Sequence, residues 1–243
     1  MSADESGESP VIAARVETVR IRAALTFGIE GDLKFLSHHD EMRMLTRAMI
    51  RAAWPLAYSQ GFNPQPRLTL PLPRAVGTAS DAEMAIVDLT HAAEVAGLHE
   101  SLARQMPTGA PLHAIVVPMS PGTPHPVAVE YAVELEASDA QQVGEKLTAT
   151  LAAERLDLMR QYGSGKPPRR IDVRPLIERL SLEGLSLVMR LRFESQGTAR
   201  PGEVLECLGV VAGEYEHRIR RRRVDWDKQI AGDAQSAATA ERT

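Results

Sequence analysis

The sequence predicts an α+β fold made of two ferredoxin-like (βαββαβ) halves in tandem. Three observations support this prediction. Segments of alternating apolar and polar residues, typical of half-buried strands, occur between segments with apolar residues three or four positions apart, typical of amphipathic helices. These segments follow the same order on both sides of a proline-rich stretch at 119–127. Hydrophobic residues make up 44% of the chain and charged residues 25%, as in globular proteins.

The proline-rich stretch divides the chain of 243 residues into units. Four prolines fall within nine residues at 118–126, which is typical of a linker. Both ends of the chain are rich in small and polar residues, which predicts mobile tails. The predicted units are an N-terminal tail at 1–17, a first half at 18–118, the linker at 119–127, a second half at 128–227 and a C-terminal tail at 228–243.

The first half opens with an alternating segment at 19–27, which predicts a strand. A helix is predicted at 38–53, because Ser37 and Asp40 form a variant of the capping box ahead of apolar residues at helical spacing. The apolar residues predicted to be buried on this helix are Met42, Leu45, Met49 and Ala52. The remaining elements are strands at 67–76 and 83–89, a helix at 92–105 and a short buried strand at 112–117.

The second half repeats this order. A strand is predicted at 129–135, followed by a helix at 139–153 with Ser138 as its N-cap. The pair Glu183-Gly184 predicts a hairpin turn, and Pro201 with Gly209 predicts the start and end of a short helix. The other predicted elements are the hairpin strands at 170–182 and 185–193, the short helix at 201–208 and a last strand at 215–224.

The first helix carries a column of basic residues. His39, Arg43, Arg47 and Arg51 are four positions apart and therefore project from one face. Guanidinium groups bind phosphate through two parallel hydrogen bonds, so the column is a candidate phosphate-binding face. A charged helix face that is merely solvated is the alternative interpretation.

A loop rich in glycine, proline and aromatic residues follows the helix. Gly61 allows a positive φ, while prolines at 64 and 66 favour an extended backbone around Asn63. Tyr58 and Phe62 are candidates for stacking on nucleic-acid bases, with Arg67 beside them. Alternatively, Phe62 fills the core below the loop.

Four consecutive arginines mark the last predicted strand: Arg220, Arg221, Arg222 and Arg223. Because side chains alternate along a strand, this run places arginines on both faces, which predicts an exposed strand or an edge strand. Charge at an edge also protects it from aggregation, the alternative interpretation. With Lys166, Arg169, Arg170 and Arg174, the run predicts a polyanion site. Trp226 either stacks on a base or covers the core.

Charge is unevenly distributed along the chain, although the net charge is only −4. Residues 34–79 contain six basic and two acidic residues, and residues 160–223 contain fourteen basic and eight acidic residues. The segment between them, 80–159, contains three basic and twelve acidic residues. This partition predicts one basic surface to which both halves contribute.

Several of these motifs resemble the bacterial radical SAM-linked protein family. The similarity lies in Phe35-Leu-Ser-His-x-Asp, in Tyr58-Ser-Gln-Gly-Phe-Asn-Pro-x-Pro-Arg67 and in Leu72-Pro followed by Gly77, and it extends over most of 18–225. The chain departs from the family at His39, usually leucine, and at Met84 and Ile86, usually tyrosine and aspartate. The resemblance implies a radical SAM enzyme as partner, encoded beside or fused to such a domain.

The sequence contains no recognisable catalytic motif, so it favours a non-catalytic accessory protein that binds structured RNA, either tRNA or rRNA. The single Cys207 excludes an internal disulfide and a cysteine-ligated cluster, and we expect no metal site and no cofactor in this chain. Its composition and polar start predict a cytoplasmic protein without membrane contact. Two alternatives remain: a metal-independent ribonuclease of the CRISPR repeat-processing type with His38 as general base, and a protein–protein adaptor for the enzyme that does not contact nucleic acid.

Overall fold

The computed structural model describes residues 21–163, 165–195 and 197–228, and it shows an α+β fold with a mostly antiparallel sheet. The strands are β1 Ile21–Ile29, β2 Leu68–Thr69, β3 Ala79–Leu89, β4 Leu112–Val116, β5 Pro126–Glu134, β6 Asp157–Arg160, β7 Arg169–Asp172, β8 Ile177–Glu183, β9 Ser186–Arg192 and β10 Ile219–Trp226. The α-helices are α1 His38–Arg51, α2 Val95–Ala103, α3 Ala137–Ala152, α4 Pro201–Cys207 and α5 Ala212–Tyr215. Short 3-10 helices lie at Gly31–Phe35, Arg174–Leu176 and Glu216–Arg218.

Eight of the strands form one continuous sheet in the order β4-β1-β3-β10-β5-β9-β8, with β2 paired to the same edge of β3 as β10. Strands β6 and β7 form a separate two-stranded hairpin. All the pairings are antiparallel except that of β10 with β3, which joins only Arg220 to Ala79 and Arg221 to Ser80. This short parallel contact joins the part of the sheet made by the first predicted half to the part made by the second.

The two main hydrophobic cores lie on the same face of the sheet, and the helices cover both. In the first core, Leu25 and Phe27 of β1 pack with Leu45 and Met49 of α1. In the second core, β5 and β9 pack with α3 and α4. A smaller cluster lies on the opposite face, which no helix of the described residues covers and which we call the helix-free face. It contains Ala24, Met84, Ile86 and Met119, with Trp226 packed against it. Trp226 therefore covers apolar surface, one of the two roles predicted for it.

The last strand was expected to be exposed or to lie at an edge. Arg222 and Arg223 are exposed, but the edge position is wrong. Strand β10 lies in the middle of the sheet, between β3 and β5. It tolerates arginines on both faces because a bulge between Arg221 and Arg223 interrupts its pairing with β5, and because carboxylates pair with each arginine. Arg221 is 2% exposed, so a central strand here buries a guanidinium group.

Other predicted elements differ in extent. The strand expected at 67–76 is limited to Leu68–Thr69, because prolines at 71 and 73 lack the N–H groups that a ladder needs. The strand expected at 170–182 is divided into β7 and β8 by a 3-10 turn containing Pro175, and the strand expected from 215 begins at Ile219 after helical turns. The predicted cap at Ser138 is also wrong, since α3 begins at Ala137, two residues before the predicted start, and its N-cap is Glu136.

The predicted tails lie outside the described residues, apart from Lys228. The division into halves stays a prediction, although one feature of the linker bears on it. Met119, within the predicted linker, is buried on the helix-free face against Ala24 and Met84. The segment between β4 and β5 therefore packs against this face of the sheet through Met119. No helix in the described ranges is long and apolar enough to cross a membrane.

The predicted cap of the first helix is confirmed. The Ser37 hydroxyl accepts a hydrogen bond from the Asp40 backbone N–H at 3.2 Å and donates one to the Asp40 carboxylate at 2.7 Å. This side-chain hydrogen bond from Ser37 is the main cause that lowers the pKa of Asp40. Helix α1 ends at Arg51, two residues before the predicted end.

We expect Ser37→Ala to lower the free energy of unfolding by about 1 kcal/mol, because the first turn of α1 loses its capping acceptor. Thermal or denaturant unfolding followed by circular dichroism measures the change. Ser138→Ala is the matched control, since Ser138 is exposed in α3 and caps nothing. Equal effects of the two substitutions would show that the Ser37 cap contributes nothing.

Candidate nucleic-acid interface

The basic column on α1 is exposed, as its spacing predicts: His39, Arg43, Arg47 and Arg51 all face solvent. On the opposite side of the helix, Leu45 and Met49 are fully buried. Arg43 is 3.3 Å from an Asp40 carboxylate oxygen, and Arg51 donates to the side chain and backbone carbonyl of Gln105. Arg47 forms no ion pair with any residue that the structure describes. The column therefore remains a cationic surface.

The loop after α1, residues 58–67, is held by its own hydrogen bonds, and we call it the Phe62 loop. The Ser59 N–H donates to the Gln65 carbonyl at 2.8 Å, and the Gln65 N–H donates to the Ser59 hydroxyl at 3.0 Å. The Arg67 guanidinium donates to the Tyr58 carbonyl at 3.2 Å. Asn63 is exposed and accepts from the Gln65 side chain at 3.2 Å. These contacts give the loop a defined shape.

Phe62 lies at the tip of this loop and is completely exposed, with 113% of its reference area accessible. The alternative that Phe62 fills the core is therefore wrong. The apolar side chains that this part of the chain buries are instead Leu56 and Leu68. Gly61, beside Phe62, has a φ of 132°, a conformation that favours glycine. Tyr58 at the base of the loop is 43% exposed.

The arginine run of β10 is paired throughout. Arg220 pairs with Asp81, Arg221 with Glu83 at 2.9 Å, Arg222 with Glu183 at 3.8 Å and Arg223 with Asp225 at 2.8 Å. Three of these carboxylates lie on other strands, Asp81 and Glu83 on β3 and Glu183 on β8. The ion pairs therefore link β10 to both of these strands. The run is therefore largely neutralised by its neighbours.

The sheet separates the basic column of α1 from Arg220 of the arginine run, although not from Arg221. Helix α1 packs on the face that carries Phe27 and Glu83, and Arg221 reaches the same face to bind Glu83. Successive residues of a strand project to opposite faces. Arg220 directly precedes Arg221, so its side chain and that of its partner Ala132 project from the face opposite α1. The expectation of one polyanion surface containing both α1 and the whole arginine run is therefore wrong.

The remaining predicted cations lie on the β6–β7 hairpin. Arg169 and Arg170 are exposed on β7, and Arg170 donates to the Asp157 carboxylate at 2.7 Å. Hydrogen bonds from Arg155 and Arg170 lower the pKa of Asp157 to about 2. Arg170 is thus partly neutralised. Arg169 forms no ion pair with a described residue.

Sequence reasoning missed a buried charge cluster where the two parts of the sheet meet. This junction cluster consists of Glu41 of α1, Arg74 of the segment before β3, Glu83 of β3 and Arg221 of β10. Arg74 lies 3.2 Å from Glu41, and Arg221 lies 2.9 Å from Glu83. Arg221 also donates to the backbone carbonyls of Leu72 and Pro73, both at 3.2 Å. The terminal nitrogens of both guanidinium groups therefore have acceptors, whereas the buried Nε atom of each has no partner among the described residues.

Burial, reinforced by the nearby Glu83 carboxylate, raises the pKa of Glu41 to about 7. The sequence does contain a signal for this cluster. Glu41 lies four residues before the buried Leu45 on the same stripe of α1, and Glu83 alternates with the core residues Ala85 and Val87. A charged residue at a core position of a helix or strand indicates a buried partner.

The candidate general base His38 is the first residue of α1 and is half-buried. Its Nδ1 atom has no hydrogen-bond partner among the described residues, and its ring lies 6.4 Å from that of His39. Within the same described ranges, no group of three or more histidine, cysteine or acidic residues is arranged to hold a metal ion.

One family model matches the chain, over residues 22–201, which run from β1 to the first residue of α4. Its description is "uncharacterized protein conserved in bacteria (DUF2344)". No curated protein matches the sequence. The matched segment includes α1, the Phe62 loop and three of the four members of the junction cluster. The chain therefore belongs to the bacterial DUF2344 family.

Proposed function

We propose that this protein binds structured RNA through the outer face of α1 and the Phe62 loop, as a non-catalytic accessory protein of a radical SAM enzyme. One observation carries the RNA proposal: a fully exposed Phe62 at the tip of a hydrogen-bonded loop that follows a helix with a cationic face. Exposed aromatic rings and cations are the two components with which proteins bind unpaired nucleotides.

The two components suit different parts of an RNA molecule. Arginines of α1 are suited to phosphates, which carry charge in every nucleotide but no sequence information. Phe62 and the partly exposed Tyr58 are suited to stacking on bases, which are accessible only where they are unpaired. The preferred ligand is therefore a folded RNA with unpaired nucleotides beside a helix, a description that fits tRNA and rRNA. With RNA as ligand, we propose a cytoplasmic location.

The radical SAM partner rests on the resemblance of the sequence motifs. An iron–sulfur cluster requires several cysteine ligands, whereas this chain has only Cys207. The accessory protein would therefore supply RNA binding, and the partner would supply the cluster and the chemistry.

We also propose that the fold is a tandem pair of ferredoxin-like halves with the boundaries 18–118 and 128–227. The strand order supports this: β4-β1-β3-β2 in the first half and β10-β5-β9-β8 in the second are the same antiparallel arrangement of four strands. The first of these four strands along the chain, β1 or β5, lies between the last and the third in each half. The helices of each half lie on one face of the sheet.

We expect Phe62→Ala to weaken RNA binding by roughly 1–3 kcal/mol, the contribution of one stacked base, without lowering the melting temperature. The measurement is fluorescence anisotropy with a labelled tRNA pool and with an rRNA stem-loop, in low salt. Tyr162→Ala is the matched control, since Tyr162 is an exposed aromatic residue outside the proposed interface.

Other outcomes separate the alternatives. Binding to the enzyme without any RNA affinity would support the adaptor, with Phe62 inserted into a protein pocket. RNA cleavage without metal that disappears in His38→Ala would support the ribonuclease. Equal RNA affinity of Phe62→Ala and the wild-type protein would remove the Phe62 loop from the interface.

A further inference from the structure

The junction cluster contains a carboxyl group whose surroundings suit its protonated form. We propose that Glu41 is a proton-operated latch: with its proton in place it stays buried and holds the first turn of α1 against the junction, and its ionisation loosens that turn. The latch does not depend on RNA binding. An effect of the latch on RNA affinity, by contrast, rests on the function proposed above.

The hydrogen bonding of Glu41 satisfies only part of an ionised carboxylate. The residue is 2% exposed, and Oε2 accepts from the Arg74 guanidinium at 3.2 Å. Its other oxygen, Oε1, is buried and has no partner among the described residues. An ionised carboxylate needs hydrogen-bond donors at both oxygens, and leaving one oxygen buried without a donor is costly. The buried position therefore favours the neutral acid.

The charged groups around Glu41 are already engaged with other partners. Arg74 also donates to the carbonyls of Lys34 and Thr78, at 2.7 and 2.6 Å. Arg221 binds Glu83, with the Tyr131 ring of β5 6.0 Å from its guanidinium carbon. The groups that face Glu41 are thus Arg74 from the preceding segment, Glu83 from β3 and Arg221 from β10, and His38 lies one turn earlier on α1.

The direction of the effect follows from the difference in pKa between the closed and loosened states. Glu41 has a pKa of about 7 when buried and the ordinary value of 4.5 when it reaches water. The closed state therefore binds the proton more tightly. Protonation of Glu41 stabilises the closed state fully below pH 4.5, and this stabilisation is lost as the pH rises from 4.5 through 7. The opening equilibrium should increase about ten-fold between pH 6 and pH 8.

Amide hydrogen exchange of the full chain tests the latch. Exchange of the α1 amides 42–45, divided by the intrinsic rate at each pH, should show the ten-fold increase in the wild-type protein. Glu41→Gln, which cannot ionise, should show no increase. Glu100→Gln should behave as the wild-type protein does, because Glu100 is an exposed carboxylate on α2 paired with Arg104.

A wild-type protein without the increase, or a Glu41→Gln variant with the same increase, would overturn the latch. If Glu41→Gln fails to fold, the wild-type exchange between pH 6 and pH 8 still decides. RNA affinity is measured separately at both pH values. An intact latch in a protein without RNA affinity would leave the latch standing and remove the proposed function. A protein that binds RNA but whose α1 amides show no such increase in exchange would remove the latch and leave the proposed function standing.

Discussion

Replacing Arg221 with methionine is expected to lower the free energy of unfolding by about 3–5 kcal/mol, the typical cost of removing one member of a buried ion pair. Glu83 would keep its buried carboxylate, while Leu72 and Pro73 would lose the donor to their carbonyl oxygens. The contact between β10 and β3 joins only two residue pairs, so Arg221 is also a principal connection between the two parts of the sheet. Chemical denaturation measures the loss.

Arg220→Met is the matched control for this experiment. Arg220 is the neighbouring residue of β10 but is partly exposed and pairs with Asp81 at the surface. Its replacement should cost no more than about 1 kcal/mol. The double variant Arg221→Met with Glu83→Met should recover most of the lost stability, because no unpaired carboxylate remains at Glu83. An Arg221→Met variant as stable as Arg220→Met would show that the buried pair does not support the junction.

The triple variant Arg43→Ala, Arg47→Ala and Arg51→Ala is expected to bind RNA roughly 100-fold more weakly at 0.1 M salt. The wild-type logarithm of affinity should fall linearly with the logarithm of salt concentration. Each phosphate contact contributes about −0.7 to −0.9 to that slope, so loss of three contacts should make it less steep by about 2–3. Binding titrations at four salt concentrations measure both quantities.

A second triple variant, with alanine at Arg220, Arg222 and Arg223, removes the same charge from β10. These arginines pair with carboxylates, and the sheet separates Arg220 from α1. We therefore expect a smaller loss of affinity and a smaller change of slope than in the α1 variant. Equal losses in the two variants would indicate a general effect of net charge and would contradict a defined interface on α1.

Local patterns determined the elements that depend on near neighbours in the chain. The cap at Ser37, the buried Leu45 and Met49 and the exposed arginines of α1 agree with prediction, because capping and helical periodicity act within a few residues. A hairpin turn was predicted at Glu183-Gly184 and the hairpin is present, but its turn is Gly184-Leu185, one residue later, because Glu183 pairs with Ser186. The pattern also identified a mixed α+β fold, since alternating and helical segments occur in turn along the chain.

Tertiary structure alone decided the position of β10 and the partners of its arginines. An arginine run has the same local pattern at an edge and in the centre of a sheet; the difference lies in carboxylates more than 130 residues earlier, at Asp81 and Glu83. Glu41 and Glu83 occupy core positions in their own elements, so the sequence predicts that each has a buried partner. It does not identify those partners as Arg74 and Arg221. The sequence by itself determined the exposed face of α1, while the junction cluster formed only when strands distant in sequence became neighbours in the sheet.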